Sequence, residues 1–420
     1  MRIKYIHIKN FKSFEDETVE LNNLNILLGA NASGKSNTIS IFRFINNIML
    51  YGLDDAISLL GGIDYVVNAN LGKSNPIYLK FILDLGDDEW INCIDRKRDR
   101  AVWLDEIRCE FEIVPHKRGM GYKIGKEIVD IEYKQCDYNN KEELEKSEKK
   151  YVITYKRNAK KVVYSILNET LYDEEILNKG MGAEFITRII NDEANEKKEL
   201  ILSILDVVMP PMFNDMIRIY DFDPRLMKTS SSITSKRRLE EDGSNIANVL
   251  QKILRNRNEK AKLLNLLIDC LPFIKQIDIQ NNVDKSISYR IKENYNNKAF
   301  YSNFLSDGTV NMLALIIALY FENSSGIIIL EEPERNLHPQ LMDKIVEMAR
   351  EMSKEKQIII TTHNPELVRY ADLDAILFAQ RTVEGYTKIN KPINSFTVKQ
   401  FIKSELGIED LFIKDLLGDE

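Results

Sequence analysis

Residues 29–36 read Gly-Ala-Asn-Ala-Ser-Gly-Lys-Ser, and this pattern constrains the fold of the 420-residue chain more than any other. It has the phosphate-loop form of Gly, four residues, then Gly-Lys-Ser. The apolar stretch Asn25–Leu28 precedes it, and an apolar-periodic segment from Lys35 to about Leu50 follows it. Strand, loop and helix are therefore predicted in that order, the setting in which backbone N–H groups at a helix N-terminus surround phosphate oxygens.

The loop predicts a nucleotide site with a metal ion. Lys35 would neutralise the β and γ oxygens of ATP, and Ser36 would offer its hydroxyl to Mg²⁺. A glycine-rich turn without a ligand is the alternative, and the flanking strand and helix argue against it. The residues predicted to bind ATP here are Gly29, Ala30, Asn31, Ala32, Ser33, Gly34, Lys35, Ser36 and Asn37.

A second apolar run ends in acidic residues. Ile327–Leu330 leads into Glu331-Glu332-Pro333-Glu334, and carboxylates at the end of a buried strand beside a phosphate loop can hold a metal ion and its water. We expect Glu331 to reach Mg²⁺ and Glu332 to orient or deprotonate the attacking water. An acidic turn on the surface is the alternative.

The segment Leu305–Thr309 stands just before a nearly all-apolar helix that is predicted from Thr309 to about Asn323. Ser306 and Gly308 at the start of a helix would form an anion site, because N–H groups and the helix dipole point outward there. The alternative is that Ser306 or its neighbour Asp307 only caps the helix.

The last third of the chain alternates strands and helices. The strands Ile327–Leu330 and Ala375–Ala379 are continuously apolar, and Ile358–Thr362 is apolar up to its two closing threonines. A helix is predicted to begin at Leu337. This order indicates a parallel sheet that is covered on both faces. His363 follows the second of these strands at the same sheet edge, either as a γ-phosphate contact or as a structural hydrogen bonder.

The middle of the chain carries weaker signals. Alternation predicts strands at Ile77–Leu85 and Ile107–Val114, while the Lys- and Glu-rich run Lys141–Lys161 is typical of a solvated helix face or a loop. Helical patterns run over Phe185–Val208 and from Asn245 to about Leu271. We predict the two halves of one domain at 1–85 and 301–420, with an inserted lobe at 86–300 that is first β-rich and then helical.

The net charge of −7 excludes a protein that binds polyanions by bulk charge. Three local basic clusters, Arg96–Arg100, Lys156–Lys161 and Lys236–Arg238, leave DNA as an alternative partner, and solvated surface charge is their other explanation. The longest apolar run, Met312–Phe321, is far shorter than the roughly 20 residues of a membrane-spanning helix. We expect a cytoplasmic protein without a membrane partner.

The order of these motifs resembles that of ATP-binding-cassette (ABC) ATPase heads, in the branch of chromosome-maintenance (SMC) and recombination-repair ATPases and overcoming-lysogenization-defect (OLD) nucleases. Gly29–Ser36 looks like the Walker A loop, Leu305–Thr309 like the signature motif, Ile327–Glu332 like Walker B and His363 like the switch histidine. The resemblance implies an α/β P-loop NTPase fold of the ABC-head type, with a parallel sheet core, a β sub-lobe and a long insertion. The opening Lys9–Phe14 is also similar, which makes Lys12 a candidate nucleotide contact.

A narrower resemblance is to stand-alone prokaryotic AAA-family ATPases that are often associated with phage defence. In this chain Glu331 replaces the usual Walker B aspartate, Thr309 replaces the usual signature glutamine, and no glutamine is assigned to sensing the γ-phosphate. The resemblance rests on Glu331–Glu334, Asn336–Pro339, Asp221–Pro224, Asp242–Asn245, Glu409–Phe412 and Leu416–Gly418.

The resemblance implies a Mg²⁺-dependent ATPase that dimerises head to head, or forms a higher homo-oligomer. Each ATP would lie between one Walker A loop and the Ser306 and Gly308 of the second copy, with Glu332 and His363 as catalytic residues. After His363 the sequence has 57 residues, too few for a nuclease domain of the TOPRIM type. We therefore expect a sensor, scaffold or motor of anti-phage defence that controls a separately encoded effector, such as a TOPRIM nuclease. The alternative is a DNA-repair or DNA-maintenance ATPase that DNA stimulates.

Overall fold

The computed structural model describes residues 1–86, 91–95, 100–138, 144–158, 161–168, 200–201, 216–234, 238–322 and 326–392. Residue contacts divide the chain into two compact units. The first comprises Met1–Leu21, Ser36–Met216 and Arg381–Ile389, and the second Asn22–Lys35, Ile217–Gln380 and Asn390–Glu420. The predicted domain boundaries at 85 and 300 stay a prediction.

An antiparallel sheet of eight strands dominates the first unit, in the order β2-β1-β4-β6-β7-β8-β9, with β5 paired to β6. Alternate residues of its strands are buried, as in β4, where Ile77, Leu79, Phe81 and Leu83 have no exposed surface. The strands are β1 (Arg2–Phe11), β2 (Phe14–Glu20), β4 (Ile77–Asp84), β5 (Ile91–Asp95), β6 (Arg100–Pro115), β7 (Tyr122–Tyr138), β8 (Leu144–Asn158) and β9 (Lys161–Asn168). The helices are α1 (Lys35–Tyr51), whose first residue belongs to the second unit, α2 (Leu53–Leu59) and α3 (Ile63–Val66), with a 3-10 turn at Gly72–Ser74.

The second unit holds a parallel sheet whose strands lie in the order β10-β15-β16-β3-β17. These strands are β3 (Leu24–Leu28), β10 (Ile217–Tyr220), β15 (Ile327–Glu331), β16 (Gln357–Thr362) and β17 (Ile376–Arg381). Every residue of β3 and β16 is buried, which explains their mainly apolar sequences, Leu-Asn-Ile-Leu-Leu and Gln-Ile-Ile-Ile-Thr-Thr. The α/β class with a parallel sheet core is confirmed.

A smaller antiparallel sheet completes the second unit, with β11 and β12 on either side of β13 and β14 also paired to β13. Its strands are β11 (Ser231–Ser232), β12 (Ile274–Asn281), β13 (Ser286–Glu293) and β14 (Ala299–Tyr301). The helices of this unit are α4 (Pro224–Met227), α5 (Ile246–Arg255), α6 (Arg257–Cys270), α7 (Asp307–Tyr320), α8 (Met342–Met352) and α9 (Pro365–Val368), with 3-10 turns at Ser302–Phe304, Pro339–Leu341 and Leu373–Ala375. Helix α7 is buried on all sides from Thr309 to Tyr320, as its composition predicts.

The last described strand, β18 (Thr387–Asn390), returns the chain to the first unit. There the N–H of Thr387 donates to the carbonyl of Ser13 at 2.9 Å, and the N–H of Ile389 donates to Glu17 at 3.0 Å. Within the described ranges, no helix has both the length and the apolar character that crossing a bilayer requires.

Three local predictions were wrong. The charged run Lys141–Lys161 holds strand β8 rather than a helix or loop, because Ile153 and Tyr155 alternate with polar residues and face a core. The helix expected over Asn245–Leu271 is two helices, since the side chain of Asn256 accepts hydrogen bonds that start a new one. The helix expected from Leu337 begins at Met342, after a 3-10 turn. Residues 202–208 and the closing 409–418 motif lie outside the described residues, as does most of 185–201.

Candidate active site

The Walker A loop leaves the end of β3 and runs into α1. Ala32 and Gly34 have positive φ angles of 64° and 110°, a feature of backbone concavities that bind anions. Gly29 is required by close approach, because a Cβ there would lie 2.4 Å from Oγ of Ser33 and 2.7 Å from the carbonyl oxygen of Ala379. The loop backbone thus has the shape that phosphate binding needs.

Lys35 is 7% exposed and is held by the loop itself. Its Nζ donates to the carbonyl oxygens of Gly29 at 2.7 Å and Ala30 at 3.0 Å. Burial lowers the pKa of Lys35, while the nearby carboxylates of Glu332, Glu334 and Glu331 act in the opposite direction. The ammonium group therefore lies within the field of the acids that follow β15, and its role toward ATP stays a prediction.

Glu332 is the centre of a hydrogen-bonded group at the ends of β15 and β16. Its N–H donates to the carbonyl of Thr361 at 2.9 Å, and its Oε1 accepts from Nδ1 of His363 at 2.9 Å. Its Oε2 lies 3.3 Å from Nε of Arg335. Burial works to raise the pKa of Glu332, but the hydrogen bond from His363 and the charges of His363, Arg335 and Lys35 leave that pKa below its ordinary value. The carboxylate is ionised and able to hold a water molecule.

Glu334 and Thr361 were missing from the predicted site. Glu334 is 6% exposed, accepts a hydrogen bond from the hydroxyl of Thr362, and has its pKa raised by burial. Among the described residues, its second oxygen and the Thr361 hydroxyl are buried without a hydrogen-bond partner. The sequence did carry a signal, because Glu334 closes the acidic run after β15 and Thr361 ends the strand before His363.

These unsatisfied oxygens suit a hydrated Mg²⁺ ion, which prefers oxygen ligands and keeps several of its waters. No group of three or more His, Cys, Asp or Glu side chains in the described ranges is arranged to hold a metal ion. A cation here would therefore depend on a few protein oxygens together with substrate phosphates, which is the usual way that Mg²⁺ binds in such sites.

The signature segment begins helix α7. Ser306 is its N-cap, with Oγ accepting from the N–H of Thr309 at 3.1 Å, and its further role as an anion contact stays a prediction. Asp307 pairs instead with Lys228. Gly308 lies against the turn that follows β15, since a Cβ there would be 2.9 Å from the carbonyl oxygen of Asn336. Ser306 itself is exposed, as a contact with a second chain would require.

The other predicted nucleotide contacts belong to the first unit. Nζ of Lys12 donates to Oγ of Ser40 at 3.0 Å, and that hydroxyl donates to the carbonyl of Ser36 at 2.8 Å. The side chain of Asn37 donates to Ser13 at 2.7 Å. The roles of Lys12, Ser36 and Asn37 toward ATP stay predictions.

Arg335 and Asp221 form a further part of the site that sequence reasoning did not assign. Asp221 directly follows β10, the neighbour of β15 in the sheet, and its Oδ1 lies 2.9 Å from Nη1 of Arg335. One guanidinium therefore contacts carboxylates at the ends of two adjacent strands. Asp221 entered the sequence analysis only as part of the motif Asp221–Pro224, without a role, whereas nothing in the sequence singled out Arg335.

The basic clusters give DNA binding little support within the described ranges. In the cluster Lys156–Lys161, Arg157 is buried and its Nε donates to Oε2 of Glu127 at 2.7 Å. The guanidinium of Arg157 is therefore buried and paired, so it does not contribute to a basic surface that DNA could contact. Most of the clusters Arg96–Arg100 and Lys236–Arg238 lies outside the described residues.

Comparisons with known proteins agree with this geometry. The structure is similar to an SMC head solved in complex with the C-terminal winged-helix domain of ScpA, with a TM-score of 0.52, 14% identity, and coverage of 93% of this chain and 97% of that one. Protein MJECL43 of Methanocaldococcus jannaschii is 27% identical over 148 residues, and the Septu protein PtuA of Bacillus thuringiensis is 24% identical over 165 residues.

These matches span 32% and 34% of this chain, and only 38% and 41% of the length of MJECL43 and PtuA. The sequence profile of the AAA_15 family, described as an AAA ATPase domain, matches residues 1–368. The chain therefore belongs to the AAA ATPase domain family, and its fold is that of the SMC-like, ABC-type heads.

Proposed function

We propose that this protein hydrolyses ATP with Mg²⁺ between two copies of its head, and that opening and closing of this pair controls a separate effector. The observation that carries the proposal is the meeting of Lys35, Glu332 and His363 at the carboxyl ends of parallel strands, where α/β proteins bind their ligands. A phosphate-binding lysine and a carboxylate that can orient water are two of the parts that recur in enzymes that hydrolyse nucleoside triphosphates.

In this mechanism Lys35 exchanges the carbonyls of Gly29 and Ala30 for phosphate oxygens of ATP. Mg²⁺ would neutralise charge on the phosphates, with the hydroxyl of Ser36 and the carboxylate of Glu331 as its proposed protein ligands. Glu332 orients a water molecule and accepts its proton as the water oxygen bonds to the γ-phosphorus and the bond to ADP breaks. His363 holds Glu332 in place and is the proposed sensor of the γ-phosphate.

The second copy completes each site. Ser306 is exposed at the start of the 14-residue helix α7, whose N-terminus favours anions. Placed opposite a Walker A loop, the Ser306 and Gly308 of the second copy would close the site around the γ-phosphate. A Ser306→Arg chain should therefore still bind ATP but neither dimerise with it nor hydrolyse it, as measured by light scattering and phosphate release. A dimer that forms normally in this variant would exclude the arrangement.

Two substitutions test the chemistry. Lys35→Ala should lose ATP affinity, because no other cation is held by the loop carbonyls of Gly29 and Ala30 among the described residues. Glu332→Gln should keep ATP bound and lower the turnover roughly 10²- to 10⁴-fold, the usual contribution of a general base. The control is Glu347→Gln, an exposed carboxylate on α8 that pairs with Lys344. Wild-type turnover in Glu332→Gln would remove this residue from the mechanism.

The defence role is supported by the similarity to PtuA, a protein of the Septu system. We propose that a separately encoded partner acts as the effector, with this chain as its nucleotide-dependent control. The test expresses the chain with and without the adjacent reading frame and measures plaque formation by a phage panel, with Lys35→Ala as the inactive control. ATP turnover that duplex DNA stimulates strongly, with the stimulation falling as salt rises, would instead indicate a DNA-maintenance ATPase.

A further inference from the structure

Arg335, in the turn that follows β15, has two side-chain contacts and one backbone contact. Nη1 lies 2.9 Å from Oδ1 of Asp221, and Nε lies 3.3 Å from Oε2 of Glu332. The carbonyl of Arg335 accepts a hydrogen bond from the side-chain amide of Asn311 in α7 at 2.6 Å. An arginine held by its backbone and by two carboxylates has little freedom to move, so it can impose a position on a neighbour.

Glu332 needs such support. Its φ of 44° lies in the left-handed region, which side chains with a Cβ adopt only when their surroundings hold them there. Its carboxylate has two oxygens, and the structure uses them differently, with Oε1 on His363 and Oε2 on Arg335. Without Arg335, the hydrogen bond from His363 would be the one contact left to orient this carboxylate among the described side chains.

We propose that Arg335 is a positioning residue for Glu332. Asp221, which follows the adjacent strand β10, would hold the guanidinium of Arg335 in place. The inference rests on the proposed function, in which Glu332 orients the attacking water. Arg335 itself makes no contact with ATP in this scheme and acts only through the carboxylate. When Arg335 holds Oε2 of Glu332, the position of Oε1 beside His363 sets the direction of the hydrogen bond from the attacking water.

A surface ion pair without functional consequence is the competing explanation, because exposed pairs contribute little to stability. The two explanations differ in what they predict for turnover. If Arg335 fixes Oε2 of Glu332, then removing the guanidinium should lower kcat and leave KM nearly unchanged, because only the orientation of the carboxylate is lost. A surface ion pair without a function predicts no change in either constant.

The experiment compares Arg335→Gln with Arg350→Gln by steady-state hydrolysis of Mg-ATP at one pH. Arg350 is a matched control because its side chain is 42% exposed, against 41% for Arg335, and it also pairs with a carboxylate, that of Asp372. We expect Arg335→Gln to lower kcat about tenfold and to leave KM within about twofold, while Arg350→Gln changes neither constant. Arg335→Lys should restore only part of kcat, because a single ammonium group returns the charge but cannot contact both carboxylates as the guanidinium does. Asp221→Asn should lower kcat by a smaller factor.

An unchanged kcat in Arg335→Gln would overturn the inference, and so would a kcat that rises, because a rise would mean that Arg335 restrains Glu332 rather than supports it. Glu332→Gln is assayed in parallel to separate the two hypotheses. Full turnover in Glu332→Gln means that the proposed function has failed. If Glu332→Gln loses turnover while Arg335→Gln keeps the wild-type kcat, only the role of Arg335 has failed.

Discussion

Two glutamate–arginine pairs in this molecule consist of the same side chains, but the pKa of the glutamate is shifted in opposite directions. In the first unit, Glu127 is fully buried, accepts from Arg157 at 2.7 Å and from the N–H of Ile201, and has a pKa that burial raises to about 7. In the second unit, Glu332 is partly exposed, and its neighbouring cations leave its pKa below the ordinary value.

The difference shows what decides the character of such a pair. At Glu127 the loss of solvent outweighs a single guanidinium, so the carboxylate is costly to ionise and serves to join strands β7 and β8. At Glu332 several cations outweigh a smaller loss of solvent, so the carboxylate stays charged in the candidate site. Burial and the number of cations, rather than residue type, separate a carboxylate that joins strands from one that stays charged.

The largest effect should come from breaking the buried pair. Arg157→Leu leaves Glu127 in the interior without its cation and should lower the free energy of unfolding by about 3–5 kcal/mol, measured by denaturant titration. The control is Arg108→Leu in the same sheet, where a guanidinium that is 37% exposed lies 2.8 Å from Glu132 and should contribute about 0–1 kcal/mol. Equal losses in the two variants would show that burial does not distinguish these pairs.

The pH dependence of stability should be an intermediate effect. The folded pKa of Glu127, about 7, lies above its ordinary value of 4.5, so its contribution to stability is complete below pH 4.5 and is lost as the pH rises through 7. Wild type should therefore lose stability relative to Glu127→Gln between pH 4.5 and 7, and the difference should be constant on either side. Melting temperatures of both proteins across pH test this, and a difference that grows in the opposite direction would contradict the raised pKa.

The smallest effect on stability should come from the matched substitution in the second unit. Glu332→Gln should change the free energy of unfolding by less than about 1 kcal/mol, because its ionic partners are partly exposed. The same substitution should therefore cost turnover at position 332 and change stability at position 127. A large loss of stability in Glu332→Gln would mean that this carboxylate is also part of the scaffold.

Much of the fold was predictable because its signals are local. The strand before the phosphate loop, helix α1 and the apolar strand β15 are all confirmed, since each is defined by a short run of sequence. Strand β8 was not recognised, because the charged residues in its first half obscure the alternation of apolar and polar residues, which becomes clear only at Ile153 and Tyr155. The break at Asn256 depends on one side chain accepting two backbone hydrogen bonds.

Some parts of the candidate site were predictable from the sequence and others were not. The loop around Lys35 and the acids after β15 follow from motifs, and their catalytic roles stay predictions. Arg335 could not be found from sequence, because its interest depends on Asp221, which is more than 100 residues away and meets it only through the pairing of β10 with β15. Hydrogen bonds between distant segments, such as that from Asn311 to the Arg335 carbonyl, leave no local trace.

The central place of β3 in the parallel sheet also bears on biosynthesis. Leu28 pairs with Thr362 on one side and with Phe378 on the other, so the strand that carries the Walker A loop is made more than 300 residues before its neighbours. Contacts of such long range form slowly, and an apolar strand that waits for its partners is prone to aggregate. The nucleotide site should therefore be among the last parts of the second unit to form on the ribosome, and chains that stall before β16 should depend on chaperones.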